Sequence, residues 1–292
     1  MNRWMHCIAV MSLLGMAAVS YGQTQAKLDY ASQEKLGWQL ACQAYTFGRN
    51  GINLFDTLDI LNEVGIRYVE MFPGQKLSKD LDVPVGPGMS ADAISALKAK
   101  LKATNVTAVA FGVTGIGKDE KGARALFDWA KEMGIGTIVA EPAADEFDVI
   151  EKLCKEYNIR VALHNHPYPS AYWAPNVVLD RTRNRSSLIG ACADTGHWPR
   201  SQIVPVQALK MLEGRIAELH FKDLNRFGDG AYDVPWGVGV CNLNAMLSEL
   251  KRQGFKGVFS IEYEIGSGDE LKSNVAKCVV NFSDAVHEIA KN

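Results

Sequence analysis

From residue 40 onward, short runs rich in apolar residues alternate with longer amphipathic stretches. The runs are LACQAYTF (40–47), YVEMF (68–72), VTAVAFGV (106–113), TIVAEP (137–142), RVALHNHP (160–167), IGACADTGH (189–197), IAELHFKD (216–223) and VFSIEYE (258–264). Runs of this length are those of buried strands. Between them, NLFDTLDILNEVG (53–65), ADAISALKAKLKATN (91–105), GARALFDWAKEMG (122–134) and LNAMLSELKRQG (243–254) space their apolar residues as helices do. Several of these stretches close on Gly, a common helix stop. Eight strand–helix units predict an α/β fold, a parallel sheet closed into a single-domain (β/α)8 TIM barrel over residues 27–292. An open doubly wound sheet would place a Gly-rich phosphate loop after its first strand. Here that strand is followed by TFGRNGIN, which is not G-x-G-x-x-G.

The first 26 residues break the pattern. Arg3 precedes an apolar run from Ile8 to Val19, with the small residues Ser20 and Gly22 behind it. This predicts a cleaved secretory signal peptide over residues 1–26, because about 12 apolar residues are too few to span a membrane. The expected protein is secreted or periplasmic, with no membrane anchor after cleavage. The five cysteines beyond it (Cys42, Cys154, Cys192, Cys241, Cys278) are odd in number and widely scattered, which favours buried free thiols over a disulfide framework. Of the 292 residues, 47% are hydrophobic and 22% charged, enough apolar material for a large core. A net charge of −2 gives no electrostatic support to a nucleic-acid partner. A homo-oligomer stays open.

In such a barrel the chemistry sits at the C-terminal ends of the strands. The expected strand ends carry Glu70, Glu141, His164 and His166, Asp194 and His197, His220, Lys222 and Asp223, and Glu262 and Glu264. Singly, each has an ordinary reading. Asp194 is a helix cap, a lone His is structural, and Glu141 before Pro142 is a loop carboxylate. Together they are costly in a barrel mouth unless paired or bound to a cation. Lys222 either fixes its loop or touches substrate, and Asp223 reads as structural. Trp198, Trp173, Tyr168, Phe72 and Trp236 are aromatics near strand ends, equally suited to core and to a pocket wall.

The segments AEP, DTGHW and ELHFKD, followed by GVGV and GFKGVFSIEYE, resemble in content and order the xylose-isomerase-like barrels. These include sugar isomerases, sugar epimerases and the endonuclease IV group. The resemblance runs from about Leu40 to the end. It implies one divalent cation held by Glu141, Asp194, His220 and Glu262, with Glu141 and Glu262 also acting as acid and base. It further implies substrate contacts from His197 and Arg226. The chain departs from the family at Asn242, where an acidic residue is usual, and at Gly237-Val238-Gly239, where G-E-G is frequent.

Three carboxylates and one imidazole make a hard site suited to Mn2+, Mg2+ or Co2+, with Zn2+ also compatible. The expected activity is metal-dependent removal of a proton beside a sugar carbonyl, giving isomerisation or epimerisation. The substrate contacts expected are His197, Arg226, His166, Glu70, Lys222 and Trp198, and the partner is a small carbohydrate. A 3-keto-glycoside lyase using the same enolisation is the second reading, and a non-catalytic sugar-binding barrel the third. A three-metal nuclease would need more histidines and a basic surface.

Overall fold

The computed structural model describes residues 28–291. The signal peptide expected over residues 1–26 lies outside the described residues. Eight parallel strands close the barrel. They are β1 (Trp38–Gln43), β2 (Tyr68–Met71), β3 (Thr107–Thr114), β4 (Thr137–Ala140), β5 (Arg160–His164), β6 (Ile189–Cys192), β7 (Ile216–Phe221) and β10 (Gly257–Ile261). Neighbours in sequence pair in space, and β10 returns to β1 through the register Trp38–Gly257 to Cys42–Ile261. A two-stranded antiparallel hairpin, β8 (Asp223–Leu224) with β9 (Asp233–Val234), follows β7 at the barrel mouth.

The helices form the outer layer, and their ends follow from local chemistry. In α5 (Glu120–Met133), the Asp119 side chain accepts from the Gly122 N–H, and Gly134 closes the helix in the left-handed region at φ 75°. Its buried positions Ala123, Leu126, Phe127, Trp129, Ala130 and Met133 form one stripe against the sheet. The first expected strand run is shorter than its apolar content suggests. It stops at Gln43, whose Oε1 accepts from the Tyr45 N–H, and Tyr45–Gly48 turns into the short helix α2. The five cysteines among the described residues are all free and buried.

Strand alternation sorts side chains between two environments. On β5, Val161 and Leu163 enter the layer between sheet and helices, while Ala162 and His164 face the barrel interior. On β10, Phe259 and Ile261 face out, which sends Ser260 and Glu262 inward. On β7, Leu219 and Phe221 face out, which sends Glu218, His220 and Lys222 inward. Barrel interiors are usually filled with branched apolar residues. Here a small apolar layer of Val139, Ala162, Cys192 and Ala217 gives way to polar and charged groups toward the mouth.

Candidate active site

β6 delivers Asp194. Gly190 lets the strand lie flat on β7, since a Cβ there would meet the Arg215 carbonyl oxygen at 2.4 Å. Beyond the strand, Asn165 clamps Asp194 from both sides. Its Oδ1 accepts from the Asp194 N–H (2.9 Å), and its Nδ2 donates to the Asp194 carbonyl (3.1 Å). The two carboxylate oxygens then divide their work. Oδ1 accepts from the N–H groups of Gly196 (2.9 Å) and His197 (2.8 Å), capping the short helix α8 (His197–Arg200). Oδ2 is buried and turned into the barrel mouth.

Three other strand ends meet it there. A nitrogen of His164 (β5), a nitrogen of His220 (β7) and an oxygen of Glu262 (after β10) lie with the Asp194 oxygen within 4.8 Å of one another, and all four residues are buried. His220 Nδ1 stands 3.2 Å from Glu262 Oε2, and His164 Nε2 stands 3.5 Å from Asp194 Oδ2. Lys222 reaches the same point from two residues beyond His220. Its Nζ is 2.9 Å from Asp194 Oδ2, 2.7 Å from Glu262 Oε2 and 2.8 Å from Glu264 Oε2. The Lys222 stem runs under Gly196, where a Cβ would meet Lys222 Cβ at 2.7 Å. The D-T-G-H turn therefore requires glycine at its third position.

A second group stands further out. Glu141 follows β4 and is hydrogen-bonded to His166 Nδ1, with its Oε1 3.2 Å from His164 Nδ1. The imidazole of His164 thus lies between the outer carboxylate and the inner cluster. His197 is fixed from behind, where Arg200 Nη1 donates to its Nδ1 at 2.8 Å.

These surroundings set the charges. Burial alone would raise the Glu262 pKa, but the Lys222 ammonium and His220 hold it well below the usual carboxylate range. Asp194 is likewise pushed up by burial and held well below its usual value by the Lys222 ammonium beside it. For Glu141, burial is outweighed by hydrogen bonds from His164 and His166, which keep it at about 2. All three are anionic at neutral pH. Burial pushes His197 well below its ordinary value, so it is neutral, and with Nδ1 accepting from Arg200 its proton sits on Nε2. The hydrogen bond to Glu141 raises His166.

The expected site residues divide accordingly. Asp194, His220 and Glu262 converge, but the fourth buried donor is His164. Glu141 sits one step outward because β4 ends at Ala140. His197 and Lys222 border the cluster and His166 stands beside Glu141. Three expected substrate contacts take other places. Glu70 is fully buried behind His220, with both oxygens 2.9 Å from Nε2. Trp198 is packed in the core. Arg226 donates to the carbonyls of Phe227 and Asp229 in its own loop, and it is Arg200 that reaches His197. Asp223 is structural, accepting from the N–H groups of Leu224, Gly237, Gly239 and Cys241. Of the aromatics near strand ends, Trp236 is core, whereas Tyr168 is exposed and stacks edge-on against Trp173. His164 was visible in sequence as an alternate-position partner of His166. Arg200 carries no such signal, because its contact comes from the fold of α8.

The converging group fits a divalent cation. His164 Nε2 is buried without a hydrogen bond, and such an orphan is rare unless something satisfies it. It faces Asp194 Oδ2, whose charge is met by the Lys222 ammonium at 2.9 Å. Two imidazoles and two carboxylates are a donor set that transition-series divalent ions accept.

Comparison with known proteins places the chain. The profile of the xylose isomerase-like TIM barrel family matches residues 58–277. The chain belongs to that family. Among solved structures, this xylose isomerase-like barrel is similar to an uncharacterised protein from Parabacteroides distasonis ATCC 8503. The two are 32% identical, over 84% of this chain and 98% of that one, with a TM-score of 0.67. A D-tagatose 3-epimerase-like protein shares the fold at 16% identity (86% and 98% covered, TM-score 0.64). So does the IOLI protein, solved with a zinc atom, at 20% identity (87% and 98% covered, TM-score 0.59). No curated protein sequence matches the chain.

Proposed function

We propose that this chain is a divalent-cation-dependent sugar isomerase or epimerase that removes a proton from the carbon beside a sugar carbonyl. The convergence of His164, Asp194, His220 and Glu262, with the buried His164 Nε2 lacking a hydrogen bond among them, carries the reading. Those four residues would hold the cation, and the mixed nitrogen and oxygen set favours Mn2+, Co2+ or Zn2+ over Mg2+. When bound, such a cation polarises a carbonyl oxygen and offsets the negative charge that grows there as the carbon is deprotonated.

The chain's own groups supply the proton chemistry. Glu262 and Glu141 are both anionic, so either can accept a carbon-bound proton. They follow β10 and β4, which are four strands apart in either direction around the barrel and therefore face each other across the mouth. A sugar between them meets one carboxylate on each side, as epimerisation requires: one removes the proton, and the other returns one from the opposite face. His197, neutral with its proton on Nε2, is suited to donate to a sugar hydroxyl or carbonyl oxygen.

One observation favours a second reading, elimination from a 3-keto-glycoside. His166 lies outside the cation cluster and is half exposed, and Glu141 raises its pKa. It is thus a proton donor for a departing C1 substituent. Incubating the protein with free ketoses and 3-keto-glycosides in deuterated water with Mn2+ separates the two. Deuterium beside the carbonyl with the glycosidic bond intact supports isomerase or epimerase chemistry, and aglycone release supports elimination. Absence of exchange with every substrate refutes both. Glu262→Gln abolishes exchange on this proposal, and surviving activity would overturn the assignment of the base. The cleaved leader completes the proposal, placing the enzyme outside the cytoplasm. Mass measurement of the periplasmic protein checks the cleavage.

A further inference from the structure

Beneath the cation cluster, the barrel interior holds a column of polar groups that no substrate can reach. His220 has two nitrogens with separate partners. Nδ1 faces Glu262 at 3.2 Å, within the converging donors, while Nε2 lies 2.9 Å from each oxygen of Glu70. Glu70 is itself held. Gln43 Nε2 donates to its Oε1 (3.3 Å) and to the Gly112 carbonyl (2.6 Å), and Gln43 Oε1 accepts from the Tyr45 N–H (2.8 Å). A second buried carboxylate, Glu218, accepts from Ser260 Oγ at 3.3 Å on the neighbouring strand. Burying carboxylates where apolar side chains would pack costs stability. The cost is explained if the carboxylate controls a ligand.

We propose that Glu70 is a positioning residue for the cation. By accepting from Nε2–H it locks the His220 ring and its tautomer, so the Nδ1 lone pair is presented to the metal, and its charge makes that nitrogen a stronger donor. The inference rests on the cation-dependent reading above. Gln43 is the brace that keeps the Glu70 carboxylate square to the imidazole.

Titration calorimetry of MnCl2 into the EDTA-stripped full chain tests it. Glu70→Gln keeps an acceptor of the same size but removes the charge. Its Mn2+ dissociation constant rises by about 10–100-fold, while the melting temperature of the cation-free protein stays level or rises. Glu70→Asp, which keeps the charge, loses less. A role in packing alone would lower the melting temperature and leave affinity intact. Wild-type binding matched within about twofold by Glu70→Gln overturns this inference and leaves the cation site standing. Failure of the wild type to bind Mn2+ overturns both. If Glu70→Gln does not fold, Gln43→Leu gives the same readout by releasing Glu70 Oε1. A loss of at least about threefold in Mn2+ affinity supports the proposal, and unchanged affinity overturns it.

Discussion

Replacing Lys222 by Met tests whether the site is built around a cation. The Nζ lies 2.7–2.9 Å from one oxygen each of Asp194, Glu262 and Glu264, and the Lys222 and Asp194 side chains are fully buried. Met fills most of the volume of the stem but carries no charge. It leaves carboxylates facing one another in a buried space, and breaking a buried ion pair from one side costs about 3–5 kcal/mol. At about 2–4 °C per kcal/mol for a domain near this size, that is a fall of roughly 6–20 °C in melting temperature. A divalent cation bound by His164, Asp194, His220 and Glu262 puts positive charge back among the same oxygens. At 100 times its dissociation constant it restores about 2.7 kcal/mol. Scanning fluorimetry of wild type and Lys222→Met in EDTA and in excess MnCl2 gives four melting temperatures. The expected pattern is a large deficit in EDTA that narrows with Mn2+, because in the wild type the cation must share the oxygens with Lys222. Equal stability of the two proteins in EDTA, or a deficit that Mn2+ does not reduce, would refute the reasoning.

Other outcomes follow from the same geometry. Arg200→Ala frees His197 Nδ1 and lowers kcat/KM by at least about tenfold, or ~1.4 kcal/mol, whereas Arg226→Ala, which breaks contacts within one loop only, stays within about twofold. Steady-state kinetics on the substrate found by deuterium exchange distinguish them. Gly196→Ala puts a Cβ 2.7 Å from Lys222 Cβ and costs about 1–3 kcal/mol by urea denaturation. A neutral result would mean that the Lys222 stem does not lie there. Away from the site, hydrogen bonding to Lys155, opposed by burial and assisted by Arg185, lowers Glu151 from 4.5 to about 2. Its folded pKa is depressed, so its contribution is present above pH 4.5 and is lost as pH falls toward 2. Glu151→Gln therefore costs about 1 kcal/mol at pH 7, after allowance for the exposed Lys155. The difference in urea midpoint between variant and wild type disappears near pH 2.

The sequence displayed the barrel more openly than the site, and the reason is physical. A strand buried on both faces must be apolar over four to six residues, and a helix packed on it must repeat every three to four. Both periods survive in one dimension, so RVALHNHP and GARALFDWAKEMG announced β5 and α5. The hairpin of β8 and β9 has two residues per strand and no period to show. Which carboxylates and imidazoles meet is a matter of where each strand stops. Glu141 and His164 both follow an apolar run, yet β4 stops at Ala140 while β5 runs on through His164. One residue of strand length sets His164 facing the interior, paired in register with Cys192, and leaves Glu141 on the rim. The inward set on β7 was legible by alternation, since Glu218, His220 and Lys222 occupy every second position of ELHFK. Their separate roles were not, because those depend on partners from β2, β6 and β10. Arg200 shows the limit most plainly. It reaches His197 only because Asp194 Oδ1 caps α8, so the aspartate turned toward the cation also aims the arginine that sets the tautomer of its neighbour.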